Sequence, residues 1–339
     1  MKITILSAAY PYRGGIAHFT GLLYKELIKE NEVNVITFKR QYPEFLFPGT
    51  TQLEPENDHL QGIPASRLVD SINPFNWISA GLKIAAGRPD LLIINFWLPF
   101  FGPAFGTIAR IVRSNKHTKV ICICHNVIPH EKRIGDRAFT RFLFNAVDNF
   151  ILLAKKLEED LKIIKIDARY KTLFHPVYSI FGSGVSKEEA RARLNIKGEK
   201  IILFFGFIRE YKGLDTLLEA LPLIRQKEDI KLIIAGEYYS NEEKYSRMIN
   251  SLNISEHIYQ FNGFIPSGDV KYYFSAADAV VLPYKDATQS GIVQIANNFN
   301  KPAIATDVGG LSEVVFENKT GFLRSEEHTY ELQSRLQHV

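Results

Sequence analysis

Short apolar runs alternate with amphipathic segments along most of this chain. Runs of this length are typical of parallel strands that are buried on both faces. The segment from about Ile16 to Lys29 has the spacing of an amphipathic helix. Strands that alternate with helices predict a parallel, doubly wound α/β sheet. Five runs in the first half predict strands: Lys2 to Leu6, Val33 to Phe38, Leu91 to Phe96, Lys119 to Cys124 and Asn149 to Ala154.

The second half repeats this alternation. Its runs at Ile201 to Phe205, Ile230 to Ile234 and Ala279 to Leu282 predict further strands. Ser186 and Glu189 have the spacing of a helix N-cap and the third helical position. A chain of 339 residues is long enough for two cores. We therefore predict a first domain over residues 1–177 and a second domain over residues 178–323.

Two segments of the first half break the pattern. Gln41 to Asn76 is rich in Pro, Gly and polar residues, which predicts a long excursion with little regular structure. Leu91 to Ala109 contains no charge, but Asn95, Pro99 and Gly102 interrupt it. We expect a strand, a turn and a helix there and reject a transmembrane span.

Two cations follow the strand Ile201 to Phe205. Gly206 lets the chain turn, and Arg209 and Lys212 come three residues apart before the next helix. Ligands of open α/β sheets bind at the carboxyl ends of strands, so these cations are well placed to hold phosphate. The alternative is a solvated charged loop. A second anion site is predicted where Thr288 to Gly291 leads into a helix, because free N–H groups and the helix dipole attract anions.

Two features of the first half are also candidates for a site. Gly14 and Gly15 lie between the first strand and the first helix, where backbone can approach a ligand closely. His125 follows a strand end, either as a functional side chain or as a hydrogen-bonded structural histidine. The glycine pattern G-x-G-x-x-G is absent, which argues against a dinucleotide oxidoreductase.

The stretch Phe205-Gly206-Phe207-x-Arg209-x-x-Lys212-Gly213 resembles the donor-binding loop of family 4 glycosyltransferases. Further motifs resemble the family in the same order, and the resemblance covers residues 1–323. They are Gly14-Gly15 in the first loop, His125 near the donor sugar, Phe174-His175-Pro176-Val177 between the domains, Gly263-Phe264-Ile265 at the nucleotide base, and Gly309-Gly310-x-x-Glu313 as the closing motif. The stretch from Lys301 to Glu313 predicts a strand, a Gly-Gly turn and the start of a helix.

The resemblance implies the GT-B fold, with two Rossmann-like domains that face each other across a cleft. It implies transfer of a sugar from a nucleotide-sugar with retention of configuration, without a cofactor or an essential metal. Arg209 and Lys212 would stabilise the leaving diphosphate, and His125 would touch the sugar or the acceptor hydroxyl. The implied donor-binding residues are Gly14, Gly15, Gly206, Phe264, Ile265, Thr288, Ser290, Gly291, Ile292 and Glu313.

The sequence departs from the family in two places. The glutamates of the Glu-x7-Glu pattern fall on Thr288 and Ala296 when the chain is aligned on Gly291. A family member would continue with further helices after Leu323, whereas residues 324–339 resemble the translation of a sequencing adapter. We therefore expect an incomplete second domain and an artefactual tail; the alternative is an ordinary C-terminal helix. His130-Glu131 is a candidate acceptor-side pair.

Charge is uneven along the chain. Residues 1–175 carry 23 basic and 16 acidic side chains, and the remainder carries 18 and 21. A basic first domain suggests contact with an anionic phospholipid surface, and no nucleic-acid-binding motif accompanies the charge. Cys122 and Cys124 share one strand face, where a disulfide would be strained. These thiols fit a reduced protein of the cytoplasm. Together with the basic first domain, this suggests a location at the inner face of the membrane.

The predicted function is transfer of a sugar to a glycan or a lipid-linked acceptor. A sugar-nucleotide 2-epimerase of the same fold is one alternative, and it would act on free nucleotide-sugar alone. A non-catalytic nucleotide-sugar-binding protein is another, because the two glutamates are missing. Fold alone does not choose among them.

Overall fold

The computed structural model describes residues 1–43, 51–54, 62–129, 133–239 and 241–325. It divides the chain into two compact units, residues 1–175 and residues 176–339. The division lies two residues before the predicted boundary. Each unit contains its own parallel sheet.

The first unit has a sheet whose described strands all pair in parallel. Its strands are β1 (Lys2–Leu6), β2 (Glu32–Arg40), β3 (Ala65–Asp70), β4 (Leu91–Phe96), β5 (Lys119–Cys124), β6 (Asn149–Leu152) and β7 (Tyr170–Thr172). They are arranged in the order β3-β2-β1-β4-β5-β6-β7. The direction of the chain across the sheet therefore reverses between β1 and β4. Consecutive residues of β4 are buried, which explains its unbroken apolar run.

Five described helices of the first unit connect these strands. The apolar sides of the second to the fifth of these helices form a core with the sheet. Asn73 caps the second of these helices by accepting hydrogen bonds from the backbone N–H groups of Phe75 and Asn76. The helices are α1 (Gly15–Leu27), α2 (Pro74–Ala86), α3 (Gly102–Arg113), α4 (Asp136–Phe144) and α5 (Lys156–Ile164).

The second unit repeats the design with a parallel sheet in the order β10-β9-β8-β11-β12-β13. Its strands are β8 (Lys200–Phe205), β9 (Ile230–Gly236), β10 (Ile258–Asn262), β11 (Ala279–Leu282), β12 (Ala303–Thr306) and β13 (Gly321–Arg324). Its described helices are α6 (Lys187–Leu194), α7 (Leu214–Arg225), α8 (Glu242–Ser251), α9 (Val270–Ala276) and α10 (Gly291–Asn298). The predicted cap of α6 is confirmed, because Ser186 accepts a hydrogen bond from the Glu189 N–H.

Three local predictions were wrong. The segment Gln41 to Asn76 contains β3 and the start of α2, although little regular structure was expected. β3 is an edge strand whose Ser66 and Arg67 are exposed, so it lacks an apolar run. No helix starts after Gly310 in the described chain, where turns lead to β13 instead. The fold also continues one residue beyond Leu323, because Arg324 is part of β13; residues 326–339 of the predicted tail lie outside the described residues.

The uncharged stretch from Leu91 forms β4, a short 3₁₀ turn and α3, as predicted. Within the described ranges, no helix combines the length and apolar character needed to cross a bilayer. Cys122 and Cys124 are both free and buried, with their Sγ atoms 3.8 Å apart. Burial raises the pKa of the Cys122 thiol, and its hydrogen bond with Cys124 acts in the same direction.

Candidate functional site

The site of the second unit lies where its strand order reverses. β8 pairs with β9 on one side and with β11 on the other. The chain runs from β8 outward to β10, and then from β11 outward to β13 on the opposite side. Loops at the carboxyl ends of the strands on either side of this point form the usual ligand crevice of open α/β sheets. These loops are residues 206–213 after β8 and residues 283–290 after β11.

Gly206 brings three of the predicted site residues together. Its φ of 95° lies in the region that favours glycine, and a Cβ added there would lie 3.2 Å from Lys212 Nζ. The same Cβ would lie 3.4 Å from Ile292 Cδ1. The ammonium group of Lys212 therefore lies against the end of β8 and near the start of α10.

Contacts between the two loops fix this arrangement. The Lys285 N–H donates to the Tyr211 carbonyl oxygen at 2.7 Å. Gly213 has a φ of 69°, and a Cβ there would lie 1.8 Å from the carbonyl oxygen of Pro283. Glycine is required at position 213 both by its conformation and by this close approach. Lys212, which directly precedes it, is thereby held at a defined position.

Lys212 is a buried cation in an unusual setting. Its residue is only 8% exposed, and no carboxylate of the described chain lies within ion-pair distance of its ammonium. Burial lowers the pKa of Lys212 to about 7, and the positive charge of Arg209 acts in the same direction. Arg209 itself is placed by Tyr239, whose ring centroid lies 3.8 Å from the guanidinium carbon. Two neighbouring cations, of which Lys212 is buried at a cost in free energy, are suited to bind an anion of more than one charge.

The start of α10 adds a second anion-binding element. Ser290 is its N-cap and accepts a hydrogen bond from the Ile292 N–H at 3.3 Å. Burial raises the pKa of the Tyr284 hydroxyl, Tyr211 adds to this, and a hydrogen bond with Ser290 opposes it. The positive end of the helix dipole at Gly291 therefore lies in the same loop system as Lys212.

The positions that replace the expected glutamates are both buried. Thr288 precedes the helix in the second loop, and Ala296 lies within α10. Neither side chain supplies a carboxylate. These two positions therefore lack the acidic pair that the family resemblance implies there.

The closing motif packs on the second loop through its backbone. Gly309 has a φ of 55°, and a Cβ there would lie 1.5 Å from the Ala287 carbonyl oxygen. Gly310 donates its N–H to the same oxygen at 3.2 Å. Glu313 is half-buried in a turn that follows and is not at a helix start.

Phe264 and Ile265 are half-buried and follow β10, two strands away from β8. Because the sheet is parallel, they lie at the same carboxyl edge as Gly206. Their contact with the nucleotide base stays a prediction.

The first unit has its own crevice at the reversal between β1 and β4. Gly14 is the N-cap of α1 with a φ of 105°, and Gly15 is the first residue of that helix. A Cβ on either glycine would meet no described atom within 4 Å, so the backbone there is accessible. Asn95 on β4 anchors this helix by donating hydrogen bonds of 3.0 Å to Ser7, directly after β1, and to Thr20 on α1.

His125 lies at the end of β5 and contacts the same helix. Its ring packs edge-on against Phe19, with centroids 4.6 Å apart, and its backbone N–H donates to the Phe96 carbonyl oxygen. His175 lies beside both rings, 6.3 Å from His125 and 5.9 Å from Phe19. Burial lowers the pKa of His125 to about 3, and His175 acts in the same direction. His125 is therefore a neutral imidazole at physiological pH.

Sequence reasoning missed several residues of these sites. Tyr239 and Tyr284 lie three and two residues after the ends of β9 and β11, so their positions alone could have indicated them. His175 was seen only as part of the connection between the domains. The candidate acceptor-side residues His130 and Glu131 lie outside the described residues. In the described ranges, no group of three or more His, Cys, Asp or Glu side chains has a metal-binding arrangement.

Known proteins are similar to this chain in sequence. Residues 186–337 match the family model described as Glycosyl transferases group 1. An uncharacterized glycosyltransferase of Methanocaldococcus jannaschii is 24% identical over 344 aligned positions, which cover 95% of this chain and 84% of that protein. A D-inositol 3-phosphate glycosyltransferase of Pseudarthrobacter chlorophenolicus is 30% identical over 131 residues, or 38% of this chain and 31% of that protein.

The fold is likewise shared with solved structures. HepE from Anabaena in complex with UDP-glucose superposes with a TM-score of 0.72 at 16% identity, covering 98% of this chain and 88% of that chain. The two Rossmann-like α/β units are those of the GT-B fold. The chain is a glycosyltransferase enzyme.

Proposed function

We propose that this enzyme transfers a sugar from a nucleotide-sugar to a hydroxyl of a glycan or a lipid-linked acceptor, with retention of configuration. The observation that carries the proposal is Lys212, a buried cation that no described carboxylate neutralises. A buried charge without a partner is costly and is retained where a ligand supplies the opposite charge. The diphosphate of a nucleotide-sugar supplies it.

In this reaction the bond between the anomeric carbon and the diphosphate oxygen breaks. The acceptor oxygen forms the new bond on the same face of the sugar and loses its proton. Arg209 and Lys212 stabilise the charge that grows on the leaving diphosphate, and the backbone at Ser290, Gly291 and Ile292 assists. Protein cations replace the role of a metal here, so no cofactor is required. Neutral His125 contacts the donor sugar or the acceptor hydroxyl.

The donor and the acceptor side are proposed from the shared fold and from the charge of the first unit. HepE, whose fold this chain shares, binds UDP-glucose, so UDP-sugars are the first donors to test. The backbone of Phe264 and Ile265 would meet the base, Gly14 and Gly15 would line the acceptor side, and Glu313 would close the donor site. The basic first unit suggests work in the cytoplasm at the inner face of the membrane.

The test is a thermal-shift titration with UDP-, GDP- and ADP-sugars, followed by a transfer assay. Charge-assisted hydrogen bonds contribute roughly 1.5–3 kcal/mol each, so Arg209→Ala with Lys212→Ala should weaken donor binding about 10²–10⁴-fold. Lys227→Ala with Arg247→Ala, two exposed cations of the same unit, is the matched control. Near-normal donor binding by the first variant would refute the assignment. Loss of transfer with a chelator and its return with Mg²⁺ would refute the metal-independent mechanism.

A second candidate is a non-catalytic nucleotide-sugar-binding protein. It is favoured by Thr288 and Ala296, which provide no carboxylate where the family has two. Tight donor binding without transfer or hydrolysis, in the presence of a panel of acceptors, would support it. Turnover of the nucleotide-sugar alone into its C2 epimer would instead reveal a 2-epimerase.

A further inference from the structure

Three helices of the first unit form one closely packed layer. A Cβ added to Gly81 of α2 would lie 3.0 Å from the Ile111 side chain of α3. A Cβ added to Gly106 of α3 would lie 2.6 Å from the Phe142 ring of α4. Glycines at both contacts let α2, α3 and α4 lie side by side. We call the outward-facing side of these three helices the α2–α4 face.

The α2–α4 face exposes large apolar side chains. On α2, Phe75 is 85% exposed, Ile78 is 46% exposed and Leu82 is 59% exposed. Their spacing of three and four residues places them on one side of the helix. On α4, Phe139 and Phe142 are 42% and 39% exposed. The outward side of a helix normally carries charged and polar residues, so this apolar stripe requires a partner.

The same face is positively charged. Its three helices carry Lys83, Arg110, Arg113, Arg137 and Arg141, with Asp136 as their one acidic residue. Arg113 is paired with Asp148 at 3.1 Å. Among the described residues, no carboxylate lies within ion-pair distance of the exposed Lys83, Arg137 or Arg141.

Apolar side chains and cations are also in direct contact on this face. The guanidinium carbon of Arg110 lies 3.9 Å from the centre of the Phe142 ring, and Arg110 donates to the Phe142 carbonyl oxygen at 2.7 Å. Arginine held over an aromatic ring keeps its charge at the level of the apolar surface. The two kinds of side chain thus form one mixed surface.

We propose that the α2–α4 face docks on an anionic phospholipid bilayer. Phe75 and Leu82 enter the boundary between headgroups and acyl chains, while Lys83, Arg137 and Arg141 meet the lipid phosphates. A second copy of the chain fits less well, because symmetric pairing would bring five cations against five cations. A nucleic acid would neutralise the cations and leave the apolar stripe uncovered. The inference rests on the membrane contact in the proposed function, and it assigns that contact to named residues.

The experiment is vesicle cosedimentation of the full chain with phosphatidylcholine vesicles, with and without 30% phosphatidylglycerol. Phe75→Ser with Leu82→Ser should lower the partition coefficient on anionic vesicles at least about tenfold. The matched control is Phe316→Ser with Leu223→Ser, an exposed Phe and an exposed Leu of the second unit. We expect the control to bind like the unaltered protein, since net charge is unchanged in both variants.

A second pair of variants tests the charges. Lys83→Gln, Arg137→Gln and Arg141→Gln together should reduce binding to anionic vesicles about 100-fold and flatten its salt dependence. The control replaces three exposed cations of the second unit, Lys197, Lys227 and Arg247, in the same way. Equal losses in both sets would show a general charge effect and overturn the assignment to this face.

Two further outcomes overturn the proposal. Absence of binding to anionic vesicles by the unaltered protein would refute membrane docking. A dimer that dissociates when Phe75 and Leu82 are replaced, without vesicle binding, would assign the face to a second copy. UDP binding is measured on the same samples, and the docking variants should retain UDP binding. This measurement separates a failure of membrane docking from a failure of the proposed function.

Discussion

Replacing Lys212 by methionine should stabilise the empty protein and weaken donor binding about 10–10²-fold. The pKa of Lys212 falls from 10.5 to about 7 through burial. A fall of this size corresponds to about 5 kcal/mol of unfavourable free energy in the protonated folded state. Methionine keeps a similar length without the charge, so Lys212→Met should raise the free energy of unfolding by up to about 5 kcal/mol near pH 6.

The sign of the pH dependence follows from the same shift. Below about pH 7 the lysine is protonated in both the folded and the unfolded chain, and the full cost of burial is present. Between about pH 7 and pH 10.5 the unfolded chain holds more protons, so the unaltered protein gains stability as the pH rises. The advantage of Lys212→Met should therefore shrink over that range.

The chain provides an internal reference for this measurement. Its two tryptophans, Trp77 and Trp97, both lie in the first unit. Urea-dependent hydrogen exchange of β8 and β9 would report the second unit, and tryptophan fluorescence would report the first. Lys227→Met, at an exposed position, should change stability by no more than about 0.5 kcal/mol.

Two results would contradict the reasoning. If Lys212→Met lowers the stability of β8 and β9 near pH 6, the buried ammonium is compensated by its surroundings. If the gain is as large near pH 10 as near pH 6, it arises from packing and not from charge. In either case an anion site built on the buried charge of Lys212 would lack its energetic basis.

Further predictions address other parts of both sites. The free energy of unfolding of the first unit should fall by about 2 kcal/mol between pH 6.5 and about pH 5, because His125 stays neutral in the folded protein. Tryptophan fluorescence measures this loss, and His125→Asn should remove most of it. Gly309→Ala should destabilise the second unit by more than about 2 kcal/mol in urea denaturation, since the added Cβ would overlap the Ala287 carbonyl oxygen. Gly263→Ala should be nearly neutral, because its Cβ would meet open space. Ser290→Ala should cost about 1 kcal/mol through loss of the helix cap. Ser290→Asp should keep the cap but weaken UDP binding in a thermal-shift titration, and unchanged binding would place the diphosphate elsewhere.

Local patterns were sufficient where each element is determined by its own residues. The unbroken run of β8 identified a strand with both faces covered, and Ser186 with Glu189 identified the start of α6. The cations at 209 and 212 were recognised from their place after a buried strand. All three depend on short-range sequence alone.

Contacts between distant segments could not be predicted from these patterns. Edge strand β3 has no apolar run, because one of its sides has no neighbouring strand. The turn at Glu313 replaces a helix because Gly309 packs on Ala287, which is far away in the sequence. His175 joins His125 and Phe19 only once the first sheet has formed.

The anchoring of α1 has a consequence for ligand entropy. Asn95 connects the helix to two strands through Ser7 and Thr20, and all three side chains are buried. Gly14 and Gly15 lie at the start of this helix, so the network that anchors the helix also helps to fix their positions. A ligand that meets the Gly14-Gly15 backbone finds it already ordered, and little conformational freedom is lost on binding. Cutting the network with Asn95→Leu should therefore weaken acceptor affinity chiefly through a less favourable binding entropy, although no residue that touches the acceptor has changed.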